Sequence, residues 1–528
     1  MNRTPRTFGP LGAFLVTATL ALALPSAGAA SLTLNAVQNF GTIDPAKVTD
    51  YTQYMAAVNL YDGLIGVATD GSLKPGIASK WSASADGKTF TFTLRPGVTF
   101  HTGGTVTAAD VVYSMKRALA INQGPSFLWT DILKPENVTS PAAGQVRFVL
   151  NKTFSPFLNT LPLLFVLNSK AMATHQVTGK FGVNGDYGQA WLTNHDEGSG
   201  PYSLGKLVDG SQLTLNRFTR YFQGFPKGAY DTVNVIINSN DATVQTLAKT
   251  GQLQMTSQFQ ATETYDALAK QPDFKVVKVA SNSIFYLKLN TQKAPFDDVH
   301  MRRAVGAAID YATIQGTLYP GVAPKGMLAP GSAVSNPKIP SPKQDLAKAK
   351  AELALSKYAG KPMAITLMYV ADTPFEQKVG LLVQSNLAAL GITVTLKPAP
   401  WTNITEAATK VETTPEITEI FFSPTYPSAN SVFYTQYASD APHTWASMSW
   451  LKDAQVDSLI NQAIATTDPA RQKTLYQTLQ QRLYDLSPDL PLVVQQQQLG
   501  FRKDVQGYAY YPVQSFDFNF RNYYQGQK

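Results

Sequence analysis

Apolar and polar residues alternate one by one through Phe90-Thr-Phe-Thr-Leu94. That is the period of an extended strand, so one face is buried and the threonines point outward. Pro96-Gly97 makes a turn, Val98-Thr-Phe100 is expected to resume the strand, and Gly103-Gly104 makes a second turn. The spacing then changes: Val111, Met115, Ala118 and Leu119 recur at helical intervals. Thr107 stands before them as an N-cap, with Asp110 three residues later, close to a capping box.

The same reading extends along the chain. Tyr61-Asp-Gly-Leu-Ile and the stretch 70–76 predict further strand and turn units, and 281–290 predicts a strand. Amphipathic helices are expected over 297–311, opening at Asp297-Asp298, and over 375–390. The second ends at Gly391, in the position after the C-cap, before the strand ITVTLKP. Helix, glycine, strand in that order indicates α/β construction. Helices follow over 452–465 and 469–486, the latter capped by Thr467-Asp468. Residues 327–343, with four prolines, read as a long ordered loop or a seam inside a domain.

The first thirty residues form a separate object. Arg3 and Arg6 without any acid, an apolar run over 11–24, and small residues ending in Ala27-Gly28-Ala29 follow the order of a secretory signal peptide. Cleavage is expected after Ala29 or Ala30. The run is too short for a membrane span, and no uncharged apolar run of about 18 residues follows it. Losing the two arginines lowers the formal charge from +8 to +6. The excess is dispersed, with no basic block, so nucleic-acid binding has no support. The chain has no cysteine. That removes disulfides, a lipid-modified N-terminal Cys, a thiol nucleophile and thiolate metal sites. A chain of 528 residues exceeds one usual core, so two or three domains are expected.

Catalytic signals are missing. His101, His175, His195, His300 and His443 are scattered, with no HExxH pair. Asp86-Gly-Lys-Thr89 mimics the end of a phosphate loop, but Ser82 stands at the first glycine position and strands flank it; it reads as a hairpin turn. Gly198-Ser-Gly200 does not form a GxSxG elbow. What is abundant is aromatic surface, with 24 Tyr, 27 Phe and 6 Trp; most must be core, and a clustered remainder can line a binding pocket.

Residues 61–117, from YDGLIGVATDGSLKPG to TVTAADVVYSMKR, resemble the conserved block of the extracellular solute-binding proteins of family 5, which serve ABC importers for peptides, nickel and some oligosaccharides. Gly198-Ser-Gly-Pro-Tyr202, LKLNTQKAPFDD, Arg302-Arg-Ala-Val-Gly-Ala-Ala-Ile-Asp310, LAALGITV and Val456-Asp457 extend the resemblance in order over the rest of the chain. It implies the two-lobed periplasmic-binding-protein fold in its large form (type II, cluster C), α/β in class. The expected division is a signal peptide over 1–30 and a first lobe from 31–70, 199–282 and 500–528. An extra subdomain takes 71–198 and the second lobe 283–499, with hinge crossings near Ser281 and Gly500. The function implied is a monomeric, periplasmic receptor, not lipid-anchored, without cofactor or catalysis. It would close over a small ligand, oligopeptide or oligosaccharide, and deliver it to the permease subunits of an ABC importer. A periplasmic hydrolase or transferase, or a protein-binding sensor or chaperone on the same scaffold, are the alternatives.

The resemblance also implies a site. Thr49, Asp50, Tyr51 and Tyr54 fall in the N-terminal loop that approaches ligand in such proteins, and Phe127 and Trp129 match a loop of the extra subdomain. Peptide binders carry a W-x-x-D-Y segment whose aspartate meets the peptide amino terminus. Here Phe422 stands for the tryptophan, Thr425 for the aspartate, and Tyr426 is retained, with Glu419 upstream and Trp401 at the preceding aromatic position. A buried ammonium without a carboxylate would be costly. Either another acid compensates, Asp50 or Glu419, or the ligand is a neutral polyhydroxyl compound stacked on Trp401 or Trp129. Trp445 and Trp450 are a further platform or packing.

Overall fold

The computed structural model describes residues 30–441, 444–513 and 515–526. The leader expected over 1–30 lies outside them but for Ala30, as does His443. Most of the local expectations hold. The strands Ala78–Ala83 and Thr89–Leu94 pair antiparallel around the turn at Gly87, whose φ is 66°. The helix Ala108–Ile121 opens with a capping box formed by Thr107 and Asp110. Asp298 caps the helix Val299–Ala308, and Asp468 caps Pro469–Leu486. Between 98 and 100 the resumed strand is reduced to one bridge, Thr99 to Thr105. The turn at Gly103-Gly104 follows so closely that no ladder has room to grow.

Three larger sheets organise the described residues, beside two two-stranded ribbons. A four-stranded sheet has the order Ser31–Ala36, Thr232–Ile237, Gln212–Arg217, Tyr202–Val208, its first pair parallel. A smaller antiparallel sheet is built on Ala78–Ala83, Thr89–Leu94, Gln145–Val149 and Val138–Thr139. Both contribute to one apolar core, in which Leu32, Leu34, Phe92, Phe148, Val233 and Val235 are buried. A six-stranded mixed sheet runs Gly321–Val322, Asp489–Arg502, Phe274–Leu289, Ile417–Phe422, Met363–Val370, Ile392–Ala399. Its inner face packs on the helices Val299–Ala308 and Pro374–Ala388 to make a second core.

The two cores are joined by long strands. Phe274–Leu289 and Asp489–Arg502 pair antiparallel, and their ladder is interrupted between Ala280 and Ile284. On one side of that irregularity Leu499 and Phe501 belong to the first core; on the other, Leu287, Leu289, Leu490 and Leu492 belong to the second. Ser281 Oγ donates to Gln495 O (2.9 Å) at the break, and Asn282 Nδ2 donates to Pro512 O (2.7 Å). A β-bulge there lets the strands change direction while remaining one ladder. Gly500 lies further along, opposite Val276, where a Cβ would meet Leu268 and Thr256 at 2.9 and 3.1 Å.

After this crossing the tail returns to the first core, where Phe518, Phe520 and Tyr523 are fully buried. Asn59 receives it: its Nδ2 donates to Phe518 O and its Oδ1 accepts from Phe520 N, both at 2.8 Å. Gly198 and Gly200 press against the same segment. A Cβ at Gly198 would lie 1.9 Å from Leu60 O, which gives the Gly-Ser-Gly-Pro-Tyr stretch a packing reason.

Candidate functional site

The helix Tyr51–Leu60 is apolar nearly all round and buried, so its direction is fixed by packing and by its cap. Asp50 is that cap, accepting from Gln53 N at 3.0 Å. The cap position carries Asp50 and Tyr51 to the gap between the two cores. From the other side come the ends of the strands Met363–Val370 and Ile417–Phe422, and the first turn of Pro374–Ala388. They enclose a cavity of about 70 Å³ lined by Asp50, Tyr51, Phe259, Glu376, Trp401, Glu419, Phe421 and Trp445, among others. An adjoining space of about 20 Å³ shares Tyr51 and Gln495 with it and reaches Asn282, Tyr510 and Asp517 at the strand crossing.

Aromatic rings form the walls. Trp401 and Trp445 meet edge to face at 5.4 Å, and Tyr51 meets Phe259 in the same way at 5.5 Å. Phe259 in turn lies 6.3 Å from Phe421, so rings from the two cores touch across the gap.

The polar groups are acids. Burial pushes the Asp50 carboxyl up to about 6, against hydrogen bonds to the helix N–H groups that favour its charged form. The indole N–H of Trp401, without a hydrogen-bond partner of its own, lies close enough to oppose the shift as well. Glu419 is fully buried, and neither of its carboxylate oxygens has a partner. A Cβ at Gly380 would come within 3.4 Å of Glu419 Oε1, so the glycine keeps the space beside it open. Glu376 accepts from Val370 N at 2.7 Å. Both glutamates are held well above the ordinary carboxylate range, first by burial and, for Glu419, also by the neighbouring Glu376.

At the crossing, burial pushes Asp517 up to about 7 while Gln497 Nε2 donates to it at 2.8 Å. A carboxyl whose proton affinity rises on folding contributes stability below its unfolded value of 3.8, and that contribution is lost as pH rises through about 7. The variant Asp517→Asn, neutral at every pH, is therefore expected to unfold about 2 kcal/mol less readily than the parent at pH 8. That figure allows for burial of the amide and for the Gln497 bond. The difference should vanish near pH 4 in urea titrations; a variant equally shifted at both pH values would contradict it.

Residues singled out by sequence are distributed unevenly. Asp50, Tyr51, Trp401 and Glu419 share the cavity. Phe127 and Tyr426 line another, of about 30 Å³, between the smaller sheet's loops and the helix Ala429–Tyr437. Tyr54 and Trp129 are buried in the first core, the Trp129 indole N–H donating to Thr160 Oγ1 at 2.9 Å, so Trp129 offers no stacking platform. Phe422 is buried in the second half beside Trp445. Thr49 and Thr425 line neither cavity; the Thr49 N–H is bonded to Gln53 and the Thr425 N–H to Ser431 Oγ. Trp445 lines the cavity, whereas Trp450 turns inward to donate to Thr414 Oγ1 at 2.8 Å. Glu376 carried no sequence signal, because an acid in the first helical turn reads as a favourable charge at the helix N-terminus. Among the described residues no three metal-ligating side chains cluster, and no helix is long and apolar enough to cross a membrane.

The profile of the bacterial extracellular solute-binding proteins, family 5, middle region, matches residues 72–443. The chain is 28% identical over 487 residues to the probable D,D-dipeptide-binding periplasmic protein DdpA of Escherichia coli (strain K12), covering 90% of this chain and 91% of that one. It is 28% identical to the glutathione-binding protein GsiB of Salmonella typhi, covering 94% and 95%. The fold superposes with a TM-score of 0.84 on the periplasmic binding protein DppA from Helicobacter pylori in complex with the peptide STSA, at 23% identity, covering 94% and 98%.

Proposed function

We propose, because this chain belongs to the bacterial extracellular solute-binding proteins of family 5, that the cavity between its two cores is where it holds its solute. The chain is a solute receptor of an ABC importer and not an enzyme. The single observation that carries the placement is the meeting of Asp50 and Tyr51 from one core with Trp401 and Glu419 from the other in one cavity. A ligand touching both sides stabilises the closed arrangement by its differential affinity, and the permease reads that arrangement. Moving the balance from about 1:99 to 99:1 takes roughly 5.5 kcal/mol of preference for the closed form.

Acids on both sides favour a ligand with a free amine over a neutral polyhydroxyl compound. The amino groups of the dipeptides and glutathione named for the relatives are of that kind. In this reading Asp50 and Glu419 stand in for the carboxylate absent at Thr425, and the rings of Tyr51, Trp401 and Trp445 cover the ligand body. The first lobe comprises 31–282 with the tail from 500, including the extra subdomain over 71–198. The second lobe is 283–499, and the two move about the break at Ser281. The chain reaches the periplasm through the leader over 1–30 and stays free there, having no cysteine to acylate.

Two measurements test this. Purified mature protein is expected to begin at Ala30 or Ser31 and to contract in small-angle scattering when the molecule that co-purifies with it is added back. A scattering profile unchanged by a tightly bound molecule would overturn the closure.

A further inference from the structure

The chain as a whole carries more Lys and Arg, 44, than Asp and Glu, 36. The cleft reverses that balance completely. Asp50, Glu376 and Glu419 line its main cavity and Asp517 the adjoining one, and among the described residues no Lys or Arg lines either. The acids come from both sides: Asp50 and Asp517 from segments packed on the first core, Glu376 and Glu419 from the second. Glu419 is the most telling of them, fully buried with both oxygens unpartnered at the cavity wall. An acid in that condition has neither donor nor counter-charge, and a cation placed beside it supplies both and favours its ionised form.

A zwitterionic peptide would bring an ammonium group that these acids suit. It would also bring a carboxylate with no described Lys or Arg in these two cavities to receive it, Lys152 lining only the separate space beside Phe127 and Tyr426. Like charges confined in a space of about 70 Å³ repel strongly. The volume is small, so the solute is small in the closed arrangement.

We infer that the cleft is built for a small solute bearing positive charge toward both lobes and no free carboxylate: a diamine, an amino-guanidine, or an amino-acid or dipeptide amide. This rests on the placement of the solute between the two cores argued above. The charge of the solute then also drives closure, because opposed acids from the two lobes approach at little cost only when a cation lies between them.

The test compares, by titration calorimetry on the mature protein, L-alanyl-L-alanine with its C-terminal amide, and adds 1,5-diaminopentane and agmatine. The amide is expected to bind at least tenfold more tightly than the free acid. Glu419→Gln should weaken the cationic probes at least tenfold while leaving the melting point of the ligand-free protein unchanged or higher. Equal or tighter binding of the free dipeptide overturns the inference, as does a panel in which no cation binds or a Glu419→Gln variant that binds cations as before. A co-purifying molecule that carries a carboxylate and still contracts the protein also overturns it, and leaves the receptor assignment standing. If no solute contracts the protein, it is the placement that fails.

Discussion

Replacing Lys288 by methionine is expected to destabilise the protein by about 3–5 kcal/mol, because it leaves a carboxylate buried without its counter-charge. Lys288 and Asp489 have side chains with no exposure at all and meet at 2.6 Å; the ammonium also donates to Gln436 Oε1 at 2.6 Å. Tyr286 and Tyr437 present ring faces to it at 4.8 and 5.3 Å. Burial lowers the proton affinity of this lysine and Asp489 restores part of it, so the ammonium depends on that one acid. The pair also fastens together the two strands that cross between the cores. The loss should appear in urea titrations as a lower midpoint with an unchanged slope. Adding Asp489→Asn should recover most of it. A single variant as stable as the parent at pH 8 would show the pair to be dispensable.

Arg117→Met should be of similar size. Its guanidinium makes two parallel bonds to Asp44, of 2.7 and 2.6 Å, and a third to Tyr187 O at 2.9 Å, all in surroundings that leave both partners about 1–2% exposed. Loss of one partner from such a pair costs about 3–5 kcal/mol, a fall in melting temperature on the order of 10 °C if the first core unfolds as a unit of about 250 residues. The consequence reaches the cleft. Asp44 belongs to the loop that runs into Asp50 and Tyr51, so the variant should also bind solute more weakly than its residual fold alone explains. Differential scanning calorimetry and calorimetric titration on the same sample separate the two effects; Arg117→Met/Asp44→Asn should regain stability without regaining full affinity. Equal recovery of both would mean that the loop is held by other contacts.

How far the sequence disclosed this molecule depended on the range over which each feature acts. The capping box at Thr107 and Asp110, the alternation in Phe90–Leu94 and the glycine after the helix at 374–388 are written within a few neighbouring residues, and all were legible. The hydrophobic pattern of 98–100 was legible too, but pairing needs a partner strand and the tight double-glycine turn supplies only one bridge. Site residues lie at the other extreme. Trp129 has the same composition of neighbours as a pocket aromatic, and only Thr160, thirty-one residues on, decides that its N–H is already used. Glu376 and Glu419 are forty-three positions apart and become a pair only when the strand Ile417–Phe422 is laid beside Met363–Val370. The resemblance put Glu419 forward; nothing local could put forward Glu376.

The return of the tail to the first core sets an order of assembly. Leu499, Phe501, Phe518, Phe520 and Tyr523 fill the same core as Leu32 and Leu34, with most of the chain between them. A polypeptide emerging from its amino end cannot complete that core until residues 499–523 arrive, so the first half of the core lacks those side chains until then. Docking of these aromatic residues then acts as the latch, and a chain cut before Phe518 would lack three rings that the first core cannot replace.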